Sequence, residues 1–369
     1  ANIQEPKTFA FVGTYTKTNS EGIYVYTLDT TSGSLRYVNK IDGLSNPSFL
    51  AVHPTKKYLF ATREPDTSDE EGAVLSFSFD QETGTLTFLN EQPSMGTSSC
   101  HMDVDRTGKY LLASNYGSGS VAVFPINPDG TLGDKSDFIQ HTGSSVHPRR
   151  QKGPHAHSIT VAPSNRFAYA ADLGIDKVLI YEFNAMTGKL TPSAQSSVDV
   201  TPGSGPRHFD FHPNNKWAYL INEISATLTA FTYDARNGNL VETQTVSTLP
   251  KDYSEIRSCA DIHVAPSGRF IYGSNRGHNS IVIYKIDPRT GHLDYVDNVP
   301  TEGATPRNFA IDPTGAFLFA ANQDSDNIVA FTINSETGRL TPTGDTTAVP
   351  MPVCIKIVSI GATRTALTV

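Results

Sequence analysis

A short glycine motif that recurs seven times along the chain sets the strongest constraint on its fold. The copies read TSGSL, ETGTL, PDGTL, MTGKL, RNGNL, RTGHL and ETGRL, and their glycines are Gly33, Gly84, Gly130, Gly188, Gly238, Gly291 and Gly338. Successive glycines are 51, 46, 58, 50, 53 and 47 residues apart. Each lies between runs of alternating apolar residues, where a glycine supplies the positive φ of a tight β-hairpin.

A second marker recurs six times between these glycines. Its copies are HPTKKYLFAT from His53, DRTGKYLLAS from Asp105, APSNRFAYAA from Ala162, HPNNKWAYLI from His212, APSGRFIYGS from Ala265 and DPTGAFLFAA from Asp312. Each copy is typical of the end of one strand, a short turn and a second, apolar strand. Together the two markers predict about four strands in a repeat of about 50 residues, which is the size of one β-propeller blade.

The seventh copy of the second marker is missing, and the two ends of the chain account for it. Lys7–Tyr15 and Gly22–Asn39 supply three strands, while Val349–Val358 matches the strand that precedes each marker. We therefore predict an all-β fold in which residues 1–369 form one seven-bladed β-propeller domain. Its blades are four-stranded and antiparallel, and one blade closes the ring by pairing N- and C-terminal strands. Two stacked β-sandwiches do not explain a sevenfold repeat.

The composition of the chain argues against two classes of binding partner, nucleic acids and membranes. The chain has 29 Lys and Arg against 37 Asp and Glu, a net charge of −8 without a basic block, so we expect no nucleic-acid partner. No segment approaches the roughly 18 apolar residues that cross a bilayer, so we expect no membrane partner. The three cysteines do not suit a disulfide scaffold. We expect a cytoplasmic monomer or weak homodimer, although a removed signal peptide stays open.

Alignment of the repeats identifies a candidate site. With the residue after each marker's His, Asp or Ala as position zero, positions −4 and −2 are apolar and belong to the core. Position −6 breaks this series and reads Ser48, Cys100, His157, Arg207, Ala260 and Arg307. Position +10 on the return strand reads Glu64, Tyr116, Leu173, Glu223, Arg276 and Gln323. The hairpin sets −6 opposite +10, and the first strand of each blade lines the channel, so these side chains should converge at one channel mouth.

Each of these residues also has a purely structural interpretation. Arg207 and Glu223 are expected cross-strand partners and could be a structural ion pair, and His157 could bond a strand end. Arg276 and Arg307 could be solvated cations. A mouth that all of these side chains share nevertheless favours a site.

Two further features could contribute to this site. His155 and His157 alternate, but no third ligand has zinc-like spacing, so we predict no metal and no cofactor. We expect the run from Arg149 to Lys152 to be a solvated loop, with contact to an anionic substrate as the alternative.

The chain resembles the seven-bladed propeller lactonases, which include bacterial 6-phosphogluconolactonases of the propeller type and the fungal carboxy-cis,cis-muconate cyclase. The matching segments are GPHAHSITVAPSNRFAYAADLGIDKV from Gly153, GSGPRHFDFHPNNKWAYLINE from Gly203, YSEIRSCADIHVAPSGRFIYGSNR from Tyr253 and ATPRNFAIDPTG from Ala304. The resemblance implies an active site of one His, two Arg and one Glu, which fall on His157, Arg207, Glu223 and Arg276. His155 also fits the H-x-H pattern, and we expect His155, His208, Arg307, Tyr116 and Gln323 to bind substrate.

These observations lead to three hypotheses. The first is metal-independent hydrolysis of a sugar lactone, with 6-phosphogluconolactone as the leading small anionic substrate. Glu223 or His157 would activate water, and Arg207 and Arg276 would stabilise the oxyanion or bind a phosphate or carboxylate. The second is a cycloisomerase that forms a lactone from a muconate-type acid. The third is a binding module without activity, which predicts no shifted pKa values in the channel.

Overall fold

The computed structural model describes residues 6–67 and 69–361, which form seven four-stranded antiparallel sheets around a central channel. Blade 1 contains β1 (Lys7–Thr14), β2 (Gly22–Leu28), β3 (Leu35–Asp42) and, from the other end of the chain, β28 (Pro352–Ile360). Blade 2 contains β4 (Leu50–Val52), β5 (Tyr58–Arg63), β6 (Glu71–Phe79) and β7 (Leu86–Thr97). Blade 3 contains β8 (Ser99–Val104), β9 (Tyr110–Asn115), β10 (Ser120–Pro125) and β11 (Asp137–Gln140).

The other four blades repeat this order. Blade 4 contains β12 (Ala156–Val161), β13 (Phe167–Asp172), β14 (Lys177–Asn184) and β15 (Lys189–Asp199). Blade 5 contains β16 (Pro206–Phe211), β17 (Trp217–Asn222), β18 (Thr227–Tyr233) and β19 (Leu240–Ser247). Blade 6 contains β20 (Ser258–Val264), β21 (Phe270–Arg276), β22 (Ser280–Ile286) and β23 (Leu293–Pro300). Blade 7 contains β24 (Pro306–Ile311), β25 (Phe317–Asn322), β26 (Asn327–Ile333) and β27 (Leu340–Ala348), with a 3₁₀ turn at Gln323–Ser325.

The predicted seven-bladed architecture and its ring closure are confirmed. β28 pairs antiparallel with β1, with Phe9 opposite Val358, and it is the innermost strand of blade 1. Residues 1–5 and 362–369 lie outside the described part of the chain, so the single domain over residues 1–369 stays a prediction. Within residues 6–67 and 69–361, no helix has the length and apolar character to cross a membrane.

The repeated glycines have two physical reasons to be glycine. All seven have positive φ, between 69° and 86°, as the hairpin motif predicts. Six of them also press on a large side chain that begins the second strand of the preceding blade. A Cβ on Gly291 would lie 2.4 Å from the Trp217 ring, and one on Gly338 would lie 2.5 Å from the Phe270 ring. The motif therefore shapes each hairpin and lets neighbouring blades pack closely.

Irregular pairing on the inner strands explains why position −6 breaks the apolar series. In blades 3 to 7 the register between the first and second strands shifts at this position. Three of the residues that such a shift skips are His157, Arg207 and Arg307. A β-bulge bends the strand and redirects the side chain that it adds. These side chains therefore leave the packed face, and His157 and Arg207 lie beside Glu223.

Polar side chains on the inner strands also tie neighbouring blades together. The channel-facing edge of each inner strand carries backbone N–H groups without a partner in its own sheet. Asp103 accepts a hydrogen bond from Val161 N at 2.8 Å, and Asp210 accepts one from Val264 N at 2.9 Å. At the closing blade, Asn308 Oδ1 accepts one from Ile355 N at 2.8 Å. Much of the polarity of the channel is therefore structural.

Candidate active site

Glu223 lies at the centre of the charged mouth, at the end of β17, and its side chain is buried. Its Oε1 accepts hydrogen bonds from Arg207 Nε at 3.0 Å and from Arg276 Nη2 at 2.9 Å. Its Oε2 accepts one from Arg150 Nη2. The predicted contact between Arg207 and Glu223 is confirmed. Burial by itself would raise the pKa of Glu223, but the three guanidinium groups outweigh it and hold that pKa well below its usual range.

The two arginines that bind Glu223 Oε1 differ in side-chain exposure and in how many of their N–H donors have no partner. The Arg207 side chain is 1% exposed, and its Nη1 donates to the Ala260 carbonyl at 2.7 Å. The Arg276 side chain is 16% exposed and donates to the Ser258 and Cys259 carbonyls. Its Nη1 has no hydrogen-bond partner among the described residues. Arg207 is therefore enclosed in the wall, whereas Arg276 presents donors to the mouth.

Arg307 brings a third guanidinium of the −6 and +10 columns to the mouth. It is half-buried, and its guanidinium lies 5.6 Å from the centre of the Tyr15 ring. Within residues 6–67 and 69–361 its side chain makes no hydrogen bond. Its donors are therefore uncommitted, in contrast to those of Arg207.

His157 is the imidazole that faces Glu223. It is buried, with Nε2 4.0 Å from Glu223 Oε1 and Nδ1 3.8 Å from Cys100 Sγ. Burial, reinforced by the positive charge of Arg207, lowers the pKa of His157 well below its usual value. The ring is therefore neutral at pH 7, and its Nε2 makes no hydrogen bond with the described residues.

His155 and Tyr116 form a pair beside His157. His155 Nδ1 donates to the Tyr116 carbonyl at 2.7 Å, and the two rings stack with their centres 4.6 Å apart. Tyr116 meets the His157 ring edge-on at 5.2 Å, and its hydroxyl accepts a hydrogen bond from Arg150 Nη2 at 3.1 Å. Of the two histidines in the H-x-H pattern, His157 therefore faces the carboxylate, and His155 holds Tyr116.

His208 lies below the charged cluster. Its Nδ1 contacts Asp261 Oδ1 at 2.9 Å, and burial lowers its pKa to about 4. With Nδ1–H donated to the carboxylate, Nε2 faces Arg207 Nη1 at 3.4 Å. The His208 ring packs across the channel against His101, with ring centres 5.3 Å apart. His208 therefore supports Arg207 from beneath.

A cavity lies in the channel next to the His101 and His208 rings. Its volume is about 220 Å³, and its walls include Asp103, Asp210, His263 and Lys356. No group of three or more His, Cys, Asp or Glu side chains in the described part of the chain is arranged to hold a metal ion. The absence of a metal or cofactor stays a prediction.

Gln323 is the expected site residue that stands apart. It is half-buried at the start of the 3₁₀ turn, and its backbone N donates to the Thr305 carbonyl at 2.9 Å. Its side chain forms no hydrogen bond with the other described residues. The structure therefore places Gln323 near the end of its strand without joining it to the Glu223 cluster.

Arg150 contacts Glu223 although it lies outside positions −6 and +10 of the repeat. Arg149 is exposed, as a solvated loop predicts, but Gln151 is fully buried and its Nε2 donates to the Leu173 carbonyl at 2.9 Å. Arg150 reaches Glu223, so the expectation of a solvated run is wrong for these two residues. The sequence feature that could have indicated this contact is the position of Arg149 to Lys152 just before His155.

Comparisons with known proteins show which family this chain is similar to. A family model described as "Lactonase, 7-bladed beta-propeller" matches residues 9–357. The 6-phosphogluconolactonase of Bacillus subtilis is 40% identical over 95% of this chain and 98% of its own length. That of Formosa agariphila is 38% identical over 82% of this chain and 86% of its own length. The structure of a periplasmic gluconolactonase from Pseudomonas aeruginosa superposes with a TM-score of 0.90 at 33% identity, covering 96% of this chain and 99% of the other.

Proposed function

This chain belongs to the family of seven-bladed β-propeller lactonases, and from that premise we propose that it hydrolyses 6-phosphogluconolactone. It is thus a carboxylic ester hydrolase, and this reaction is a step of the pentose phosphate pathway. The names of the Bacillus subtilis and Formosa agariphila relatives support the substrate. The observation that carries the proposal is a neutral, buried His157 beside an arginine-bound Glu223 at the channel mouth.

In this proposal His157 is the general base. Its Nε2 takes a proton from a water molecule while the water oxygen attacks the lactone carbonyl carbon. As the tetrahedral intermediate collapses, the bond between the carbonyl carbon and the ring oxygen breaks, and His157 returns the proton to that oxygen. One water is consumed, and the product is an open-chain acid that ionises at neutral pH.

The arginines supply the positive charge for this step. Arg276 Nη1 and the free donors of Arg307 suit the developing oxyanion and the substrate's anionic group. Arg207 is too enclosed to reach a substrate, so we propose that it orients Glu223 and adds positive potential from the wall. A guanidinium stays protonated, so none of these residues serves as the base.

Of the two candidate bases, Glu223 is the one whose oxygens are already engaged. Oε1 accepts hydrogen bonds from Arg207 and Arg276, and Oε2 accepts one from Arg150, whereas His157 Nε2 makes no hydrogen bond with the described residues. We propose that Glu223 instead fixes the positions of Arg207 and Arg276. The hypothesis of an inactive binding module expected ordinary pKa values in the channel, and the lowered pKa values of His157 and Glu223 count against it.

The test is hydrolysis of freshly generated 6-phosphogluconolactone and of unphosphorylated gluconolactone, each measured above its spontaneous rate. We expect acceleration of the phosphorylated lactone and loss of that acceleration in Arg276→Ala. Arg236→Ala is the matched control, because the Arg236 side chain is 91% exposed on the outer part of blade 5. If the wild type accelerates neither lactone, the proposal fails, and muconate-type acids become the next substrates to assay.

The expectations about cellular location, oligomeric state and binding partners are also proposals. We keep a cytoplasmic location, a monomer or weak homodimer, and no nucleic-acid or membrane partner. Because the Pseudomonas aeruginosa neighbour is a periplasmic gluconolactonase, the compartment of this chain is a point to measure. Cell fractionation addresses the location, and light scattering addresses the oligomeric state.

A further inference from the structure

One of the three arginines on Glu223 comes from a loop and not from a blade strand. Arg150 lies between β11 and β12, in residues 141–155, on the loop that joins blades 3 and 4, and its guanidinium contacts Glu223 of blade 5. It is absent from the aligned columns of the repeat. The repeat therefore does not account for its contact with Glu223, which needs a separate explanation.

The backbone around Arg150 is firmly held. Gln151 N donates to the His147 carbonyl at 3.1 Å, and His147 N donates to Gln151 Oε1 at 3.0 Å. The Arg150 N–H donates to His147 Nδ1 at 3.0 Å. Gln151 is fully buried and also donates to the Leu173 carbonyl at 2.9 Å. The loop thus fixes the Cα of Arg150 beside the mouth and leaves its long side chain as the part that can move.

The side-chain contacts of Arg150 are the easiest of the three to exchange. Arg207 and Arg276 also donate to backbone carbonyls of the wall, which holds their guanidinium groups in place. Arg150 instead contacts Glu223 Oε2 and the Tyr116 hydroxyl, and its side chain is 40% exposed. If Arg150 moved away, Glu223 would keep the two hydrogen bonds on Oε1.

The charge balance of the mouth favours an incoming anion. Arg150 and the −6 and +10 columns bring four arginines and two glutamates together, namely Arg150, Arg207, Arg276, Arg307, Glu64 and Glu223. Positive charge is therefore in excess at the mouth. Of the three arginines that bind Glu223, Arg150 has the most exposed side chain. A phosphate group offers several oxygens to a guanidinium and forms paired, charge-assisted hydrogen bonds with it.

We propose that Arg150 is a specificity-determining residue that leaves Glu223 and pairs with the phosphate of the substrate. This inference rests on the proposed lactonase function and deepens it, because it assigns the preference for a phosphorylated over an unphosphorylated lactone to one loop residue. Tyr116, held by His155, stays behind as the support from which the guanidinium turns.

The kinetic test compares Arg150→Gln with Arg149→Gln, which removes the same charge from an exposed neighbour outside the site. For Arg150→Gln we expect kcat/KM on 6-phosphogluconolactone to fall by about tenfold to a hundredfold, the size of a lost hydrogen bond between charged groups, mainly through KM. On unphosphorylated gluconolactone we expect a change of less than about threefold, since that substrate lacks the partner of Arg150. Arg149→Gln should match the wild type on both lactones.

Equal losses on the two lactones would overturn the proposal, because they would make Arg150 a general support of Glu223. Unchanged kinetics on both would also overturn it. Arg150→Lys is the second variant, which keeps the charge and loses the planar fork, and it should fall between the wild type and Arg150→Gln on the phosphorylated lactone. The melting temperature of each variant shows whether it is folded.

A binding measurement separates this inference from the proposed function. Inorganic phosphate is titrated into the wild type, Arg149→Gln and Arg150→Gln by calorimetry, which requires no turnover. We expect weaker phosphate binding in Arg150→Gln alone. If the wild type hydrolyses neither lactone but this difference persists, the proposed reaction fails while Arg150 is kept as an anion-binding residue. Equal phosphate binding by all three proteins would overturn the role of Arg150 whatever the reaction.

Discussion

At the scale of single residues, His157 and Glu223 show how one environment acts in different ways on two ionisable groups. Both are buried beside the same arginines. Burial and positive charge both disfavour the protonated imidazole, so His157 is neutral. For Glu223 the same positive charge outweighs burial and keeps the carboxylate ionised. The pair therefore combines an uncharged proton acceptor with a fixed anion, and this division assigns their roles in the proposal.

Replacement of His157 tests this assignment. We expect His157→Gln to lower kcat by about 10²- to 10⁴-fold, the contribution of a positioned general base, while the melting temperature changes little. His212→Gln is the matched control, because it also removes a buried imidazole, one that contacts the Gly268 carbonyl at 2.8 Å away from the mouth. The control should lose stability and keep kcat. A fall in kcat that merely follows the loss of stability in both variants would contradict a catalytic role for His157.

At the scale of elements, the sequence predicts those features that depend on a single hairpin, and it does not predict those that depend on how two strands pair or how a loop folds. The glycine motif predicted positive φ in every blade, and each of the seven glycines has it. Position −6 was identified because its polarity broke an apolar series, but the β-bulge that redirects His157 and Arg207 could not be predicted. A bulge depends on how two paired strands share their hydrogen bonds, and no single residue type encodes it. The contact between Arg150 and Glu223 could not be predicted either, because the loop that carries Arg150 lies outside the repeat.

The inter-blade contact of the repeated glycine leads to a stability prediction. Gly291→Ala combines a strained φ of 75° with a Cβ that would meet the Trp217 ring at 2.4 Å. Left-handed strain costs about 1–2 kcal/mol and overpacking about 1–3 kcal/mol, so we expect the free energy of unfolding to fall by the sum. Gly43→Ala is the control, because its φ is also 75° but nothing lies within 4 Å of the added Cβ.

The control should therefore lose only the part due to φ, and the difference between the two variants measures the contact between blades 5 and 6. Urea unfolding monitors both variants, and kcat per folded molecule should stay at the wild-type value. Equal destabilisation in the two variants would show that the glycine is required for its backbone conformation and not for blade packing.

At the scale of the whole molecule, the propeller makes a site from residues that are far apart in sequence. Arg307 and Tyr116 share one mouth because every inner strand begins at the same end of the channel. The repeat in the sequence was enough to predict this convergence, since the period fixes which positions are equivalent. It could not predict the layer of Phe49, His101 and His208 across the channel, or the cavity next to it, because those depend on distances between non-adjacent blades.

The crowding of histidines in the channel gives the whole protein a predicted response to acid. Burial lowers the pKa of His101, His157 and His208, so the folded protein excludes protons that the unfolded chain binds below pH 6.5. Each excluded proton lowers the free energy of unfolding by about 1.4 kcal/mol per pH unit as the pH falls. For His208 this loss continues down to its folded pKa of about 4. His263 opposes the trend, because Asp261 overcomes its burial and raises its pKa. Asp103 and Asp210 oppose it at the acid end of the range, because burial raises the pKa of both carboxyl groups.

Burial also lowers the pKa of His278, so four histidines with a lowered pKa stand against one with a raised pKa. We therefore expect the free energy of unfolding to fall as the pH drops from 6.5 towards 4, before most carboxylates titrate. His101→Asn tests the origin of this slope: the amide oxygen can replace Nδ1 as acceptor for Ile159 N, now at 3.2 Å, but it does not titrate. Urea unfolding between pH 7 and pH 4.5 should show a slope shallower by about 1.4 kcal/mol per pH unit than in the wild type. His292→Asn, on an exposed turn, should keep the wild-type slope. A wild-type stability that is flat over this range would mean that the channel accepts these protons without loss, and the neutral state assigned to His157 would then fail with it.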